Sequence, residues 1–121
     1  HSRGWSEIHS HEMGGLLENL VLESLQAGSM AAKIHYWRTK QRHEIDFVVP
    51  ESRSKVHAIE CKWKADSFSP EALQIFRRDY PHGENWVVCS DVLKPSVRKA
   101  GNGLAVRYVS PWDFRSEFEK R

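Results

Sequence analysis

The sequence predicts an α/β domain in which a central mixed sheet of about five strands is flanked by helices. Short alternating or apolar runs, typical of strands, are separated by longer segments with helical periodicity. The order of these segments predicts a core of helix, three strands, helix and strand, that is αβββαβ, which a further strand and a closing helix follow. With 121 residues, 40% of them hydrophobic and 28% charged, the chain can bury a core and is too apolar to be disordered.

The first helix is expected from Gly14 to Ala27, because leucines and Val21 form a wide apolar arc in helical projection. Residues 1–13 show neither helical nor strand periodicity. We expect them to be a linker or a non-native tail, with residues 14–121 forming one domain. Glu18 lies at the edge of the apolar arc, where a carboxylate needs a cation, a hydrogen-bond network or a metal as partner. A salt bridge with Lys or Arg at the rim is the alternative for Glu18.

The later elements follow from alternation, turn residues and capping signals. Ser69 is a candidate N-cap with Pro70 at the first helical position, so a second helix is expected after it. Residues 91–103 contain Pro95 and two glycines and are expected to be a polar loop. The expected strands are residues 33–39, 44–49, 56–62, 85–90 and 104–109, and the expected closing helix is residues 111–120.

Two neighbouring strands carry the charges that matter most for function. If the first three strands form an antiparallel meander, Asp46, Glu60 and Lys62 converge on one patch. Two carboxylates suit Mg²⁺ or Mn²⁺ in phosphodiester chemistry, and a lysine there can orient the attacking water or stabilise developing charge. A cross-strand ion pair on a solvated face is the competing interpretation of the same spacing.

The spacing of these residues resembles a known signature. Asp46, thirteen residues and then Glu60-Cys61-Lys62 resemble the D…E-x-K pattern of the PD-(D/E)XK nuclease superfamily. Together with GGLLEN, YWR, EIDFV and IECK (residues 14–19, 36–38, 44–48 and 59–62), they resemble the C-terminal domain of unknown function of prokaryotic AAA-type ATPases. The resemblance covers the chain from about Gly14 to its end.

This resemblance implies a restriction-endonuclease-like fold and a metal-nuclease site that acts on DNA. It implies that Glu18 is the helical acid that joins Asp46 and Glu60 as a metal ligand, and that the backbone carbonyl of Cys61 is a further ligand. It also implies an upstream P-loop ATPase module in the full-length protein, since such a module precedes the domain in the family.

Charge distribution points to an anionic partner more clearly than net charge does. The formal net charge is only +2, but residues 33–64 hold eight Lys and Arg against four Asp and Glu. A basic rim around an acidic centre would suit a polyanion, although single exposed cations are usually only solvated. The candidate nucleic-acid contacts are Arg38, Lys40, Arg42, Lys64, Gln74 and Arg77.

Other classes of protein find little support. Cys61 and Cys89 lie in apolar runs without Cys/His pairing, which argues against a zinc site and fits reduced thiols in the cytoplasm. No GxSxG, P-loop, signal-peptide or membrane-span pattern occurs in the sequence. Oligomeric state is not predicted by these patterns.

Three functional hypotheses therefore remain at this point. The first is a Mg²⁺- or Mn²⁺-dependent DNA nuclease that uses Glu18, Asp46, Glu60 and Lys62. The second is a non-catalytic module that couples an upstream ATPase to nucleic acid or to a protein. The third is an antitoxin-like or dimerisation element with no nucleic-acid role, for which no salt-sensitive DNA binding is expected.

Overall fold

The computed structural model describes residues 5–28 and 33–121, and side chains from Glu12 onward. Helices and strands alternate as the sequence predicted, and the fold class is α/β with a mixed sheet flanked by helices. A short 3₁₀ turn, Ala65–Ser67, follows the third strand. The elements in chain order are α1 (Trp5–Gln26), β1 (His35–Arg38), β2 (Glu44–Pro50), β3 (Val56–Lys62), α2 (Glu71–Asp79), β4 (Asn85–Cys89), β5 (Ser96–Ala100), β6 (Leu104–Val109) and α3 (Pro111–Glu119).

The sheet has six strands in the order β1-β2-β3-β4-β6-β5. Strands β1, β2 and β3 form the expected antiparallel meander. Strand β4 lies parallel to both β3 and β6, and α2 makes the crossover between β3 and β4. As a result, the end of β2 that carries Asp46 lies beside the end of β3 that carries Glu60 and Lys62.

Strand β5 was not expected, because residues 91–103 read as a polar loop. The structure pairs Ser96–Ala100 antiparallel with β6 at the sheet edge. A three-residue turn joins the two strands, and its Gly101 and Gly103 both have positive φ, at 58° and 95°. Most of β5 is exposed, so its sequence lacks the apolar alternation by which strands are recognised.

Helix α1 begins at Trp5, well before the expected start at Gly14. Residues 5–13 contain neither Gly nor Pro, and each residue added to an existing helix gains one backbone hydrogen bond, so the helix continues without an apolar pattern. Residues 1–4 of the expected tail lie outside the described part of the chain. No helix within that part is both long and apolar enough to span a membrane.

The two faces of the sheet are covered by different helices. Leu17, Val21 and Leu25 of α1 pack with Phe114 and Phe118 of α3 on one face. Helix α2 covers the other face with its buried leucine and phenylalanine. The apolar arc of α1 is only partly used, since the leucines at positions 16 and 20 remain exposed.

A bulge interrupts β2 beside the candidate site. Residue 35 pairs with residue 48, but Trp37 pairs with Ile45, so β2 holds one extra residue over this interval. Strict alternation predicted Ile45, Phe47 and Val49 on one face. Because of the bulge, Ile45 packs on the α2 face, while Phe47 and Val49 pack on the α1 face.

Arg77 has a structural position that the sequence did not indicate. We expected it among the nucleic-acid contacts, but it is only 8% exposed and its guanidinium donates hydrogen bonds inward. Burial lowers its pKa to about 10, which leaves it charged at neutral pH. Its acceptors are the carbonyls of Val56, Tyr80, His82 and Glu84 and the Asn85 side chain, at 2.8 to 3.1 Å.

Replacement of Arg77 should therefore lower the free energy of unfolding more than replacement of its exposed neighbour Arg78 does. Arg77→Met leaves several buried carbonyls without a donor, so we expect a loss of about 3 kcal/mol or more in the free energy of unfolding. Arg78→Met should change it by less than about 0.5 kcal/mol. Urea unfolding of both variants tests this, and equal midpoints for the two would contradict the structural role of Arg77.

Candidate functional site

The candidate site lies where α1 crosses the ends of β2 and β3. A cavity of about 170 Å³ is lined by Glu18 of α1 and Asp46 of β2. A second, more open cavity of about 450 Å³ is lined by Glu18, Cys61 and Lys62. Glu18 lines both cavities, which therefore lie on either side of this side chain; together they are called the groove.

Asp46 is held by the strand that carries the E-x-K sequence. Its Oδ2 accepts a hydrogen bond of 2.7 Å from the backbone amide of Cys61. The bulge in β2 lies at this position, which is where a bulge redirects side chains relative to regular alternation. The fold therefore fixes Asp46 between Glu18 on one side and the Glu60-Cys61-Lys62 segment on the other.

The carboxyl groups of Glu18 and Asp46 perturb each other's ionisation in this arrangement. Burial and the Asp46 carboxylate raise the pKa of Glu18, and the side-chain hydrogen bond to Asp46 adds to the rise. The pKa of Asp46 is also raised, mainly by burial, although the Cys61 amide and Glu18 oppose that rise. Both carboxyl groups therefore hold a proton more tightly than a free side chain of the same kind does.

Glu60 is the most deeply buried of the candidate acids. It is 5% exposed, and its Oε2 has no hydrogen-bond partner among the described residues. Burial raises its pKa to about 8; the charge of Lys62 opposes the rise and that of Asp46 adds to it. A buried carboxyl oxygen without a partner is costly, and a cation would satisfy it.

The donors suit a hard divalent cation in their chemistry. Two neighbouring carboxyl groups with raised pKa values, and a third with an unpaired oxygen, are the kind of oxygen ligands that Mg²⁺ and Mn²⁺ take. Across the described side chains, however, no three His, Cys, Asp or Glu residues are already grouped closely enough to hold an ion. Ion binding would therefore involve side-chain adjustment and proton release.

The expected nucleic-acid contacts divide into two groups. Arg38 lines the smaller cavity and is exposed, 3.5 Å from Glu44. Lys40, Arg42 and Lys64 are exposed on the same meander. Arg42 has a φ of 67°, an uncommon backbone state for a residue other than glycine.

Gln74 and Arg77 belong to a different part of the molecule. Both lie on α2, which covers the opposite face of the sheet. The Gln74 amide lies against Gly101, and Arg77 is buried as described above. The structure therefore does not bring either residue to the candidate site.

Several groove residues were missing from the sequence-based site. Gly14 and Gly15 line the larger cavity, and a Cβ built at either position would meet no described heavy atom within 4 Å beyond the adjacent residues and the backbone of its own helix. Glycine inside a helix costs about 1 kcal/mol relative to alanine, so two in succession are a signal that the sequence offered. Asn19 and Tyr36 line the smaller cavity, and both belong to the motif segments noted above.

The thiols are not candidates for chemistry. Cys61 and Cys89 are free and buried, as expected from their apolar runs. Burial raises the pKa of both thiols, that of Cys89 to about 12, so neither is a reactive thiolate at neutral pH. The backbone amide of Cys61 is committed to Asp46, and a role for its carbonyl stays a prediction.

Comparison with known proteins gives a family and a similar fold. A family described as "Domain of unknown function (DUF4143)" matches residues 13–103. No curated protein matches the sequence. A solved structure, the refined half-complex from the tetradecameric assembly of Thermococcus gammatolerans McrB AAA+ hexamers with bound McrC, contains a chain of similar fold.

The similarity to that chain has a TM-score of 0.57 and 14% sequence identity. It covers 89% of the present chain and 33% of the other, so this chain spans about a third of that length. At this level of identity the similarity concerns the fold alone.

The buried state of Glu60 predicts a characteristic pH dependence of stability. Without metal, the folded protein holds a proton on Glu60 up to about pH 8, whereas the unfolded chain loses it near 4.5. Stability should therefore fall as pH rises through this interval, by at most about 1.4 kcal/mol per pH unit from this group. Glu60→Gln should reduce the slope, as measured by urea unfolding in a chelator.

The matched control is Glu23→Gln, on the exposed surface of α1, which should keep the wild-type slope. Some slope should remain in Glu60→Gln, because the pKa values of Glu18 and Asp46 are also raised. An unchanged slope in Glu60→Gln would contradict the buried, protonated state of this carboxyl.

Proposed function

The chain belongs to the DUF4143 family, and from the site just described we propose that it hydrolyses phosphodiester bonds of DNA with Mg²⁺ or Mn²⁺. One observation carries this proposal: Glu18 and Asp46 line one cavity beside a buried Glu60 whose Oε2 has no hydrogen-bond partner among the described residues. Such a set of carboxyl groups is poorly satisfied by the protein alone. A divalent cation would favour the ionised form of all three carboxyl groups and would give the unpaired Glu60 oxygen a partner.

Each side chain would have a distinct role. Glu18, Asp46 and Glu60 would hold the ion, with the Cys61 carbonyl as a proposed further ligand. The ion would supply an activated water and neutralise charge on the phosphate. Lys62 would orient the attacking water or stabilise the charge that develops on the phosphate oxygens. The Cys61 amide would keep Asp46 aligned throughout.

A restriction-endonuclease-like fold of the PD-(D/E)XK type is part of this proposal. The order α1-β1-β2-β3-α2-β4 is compatible with it, and so is the position of Asp46 beside the E-x-K strand. The similar fold in an assembly named for McrB AAA+ hexamers and McrC supports a further element: we place this chain in an ATPase-associated assembly. Its DNA would be contacted by Arg38, Lys40, Arg42 and Lys64.

A second candidate function is a non-catalytic interaction module in such an assembly. Two observations favour it: the described acids do not form a ready ion site, and Arg38 already faces Glu44. The nuclease proposal is preferred because a purely binding surface has no use for a buried, unpartnered Glu60 next to Lys62. Metal-dependent cleavage separates the two.

Substitution of Asp46 or Lys62 should slow cleavage while the domain stays folded. With Mn²⁺ and a mixture of single-stranded, duplex and branched DNA, Asp46→Asn and Lys62→Ala should each lower the cleavage rate about 10²-fold or more. Asp66→Asn, an exposed carboxylate on the 3₁₀ turn, is the control and should cleave as the wild type does. Cleavage by Asp46→Asn at the wild-type rate would overturn the proposed site.

A further inference from the structure

Tyr36 is an exposed aromatic residue on the edge strand β1. The next residue, Trp37, packs on the opposite face of the sheet, so the exposure of Tyr36 follows from the direction of its side chain. Alternation along β1 turns Trp37 to the α2 face, where its ring meets Phe76 edge-on at 5.3 Å between centroids. The same alternation turns Tyr36 and Arg38 to the face of α1 and the candidate site. Tyr36 nevertheless remains 66% exposed.

Among the described residues, Phe47 is the aromatic residue that contacts the ring of Tyr36. The two ring centroids lie 5.9 Å apart, at an interplanar angle of 41°. Phe47 is buried and lies next to Asp46 at the β2 bulge, so the Tyr36 ring is positioned by the same irregularity that positions the acid. An aromatic ring anchored this way offers a preformed surface at low entropic cost.

Tyr36 and Arg38 continue the groove away from the acids. Both residues line the cavity of about 170 Å³ that contains Glu18 and Asp46, and together they line an adjoining concavity of about 370 Å³. An exposed ring and an exposed guanidinium, adjacent to the proposed hydrolytic acids, fit a ligand with both an aromatic face and a nearby anionic group. A nucleotide of a DNA strand has both.

We propose that Tyr36 stacks on an unpaired nucleobase next to the bond to be cleaved, with Arg38 on the adjoining phosphate, so that the site selects DNA with a single-stranded segment. The faces of bases inside a duplex are covered by their neighbours, whereas an unpaired base has a face free for an aromatic side chain. This inference rests on the proposed function, because it takes DNA as the ligand of the groove.

The test measures binding to three labelled DNA probes: a single-stranded oligonucleotide, its blunt duplex, and the same single strand with abasic sites. The protein is the full chain carrying Lys62→Ala, with Mg²⁺ present, so that the acids remain and cleavage is slowed. Tyr36→Leu in this background should weaken binding of the single strand about tenfold, the size of loss expected for one stacked base. Tyr36→Phe should restore it.

The abasic strand and the duplex separate stacking from backbone contacts. The affinity for both probes should change less than twofold in Tyr36→Leu. Arg38→Ala should weaken binding of the intact and of the abasic single strand by a similar factor. Tyr80→Leu is the matched control and should bind all probes unchanged. Tyr80 is an exposed tyrosine directly after α2 that stacks on Phe76, away from the groove.

The inference is overturned if Tyr36→Leu binds the single strand as tightly as its parent does. It is equally overturned if the substitution weakens binding of the intact and the abasic strand by the same factor. It is also overturned if the parent shows no preference for the single strand, or if Tyr36→Leu alters only self-association in sedimentation, which would make β1 a protein contact. Mn²⁺ calorimetry on the same proteins reports on the proposed function separately: retained Mn²⁺ binding with unchanged strand affinity rejects only the stacking role.

Discussion

A hydrogen bond of 2.7 Å from the Cys61 amide to Asp46 Oδ2 joins the two strands on which the candidate site depends. It lies where the regular β2–β3 pairing ends, beyond Phe47 opposite Ile59, and next to the bulge in β2. This bond fastens the Asp46 carboxylate to the backbone of β3. The acid is thus held against Glu18 and the E-x-K strand, which brings three carboxyl groups from α1, β2 and β3 into electrostatic contact.

Other buried polar groups keep this arrangement in register from a distance. At the far end of the β2–β3 hairpin, His57 is fully buried, accepts from the Glu84 amide at 3.2 Å and donates to Glu51 at 2.9 Å. Its hydrogen bond lowers the pKa of Glu51 to about 2, so this contact is between a neutral imidazole and a carboxylate. The Arg77 guanidinium donates hydrogen bonds to the carbonyl of Val56 in β3 and to that of Glu84, directly before β4. The buried guanidinium of Arg77 is thus hydrogen-bonded, whereas the buried Glu60 at the site has an oxygen without a partner among the described residues.

Much of this could be predicted from the sequence, because alternation and spacing are local signals. The bounds of β2, β3 and β6 and the convergence of Asp46 with Lys62 follow from period-two patterns and a short polar turn. The bulge, strand β5 and the burial of Arg77 could not be predicted. A bulge depends on cross-strand register, an edge strand needs no apolar pattern, and a buried arginine differs from an exposed one only in the carbonyls that surround it in three dimensions.

The central claim is that Glu18, Asp46 and Glu60 form a divalent-cation site, and calorimetric titration of the chain with Mn²⁺ above pH 8 tests it most directly. At that pH the Glu60 proton no longer competes strongly with the ion. The account predicts binding by the wild type and by Glu23→Gln, and loss of detectable binding in Asp46→Asn, with all three proteins folded. Equal binding by Asp46→Asn, or no binding by the wild type at millimolar Mn²⁺, would contradict it.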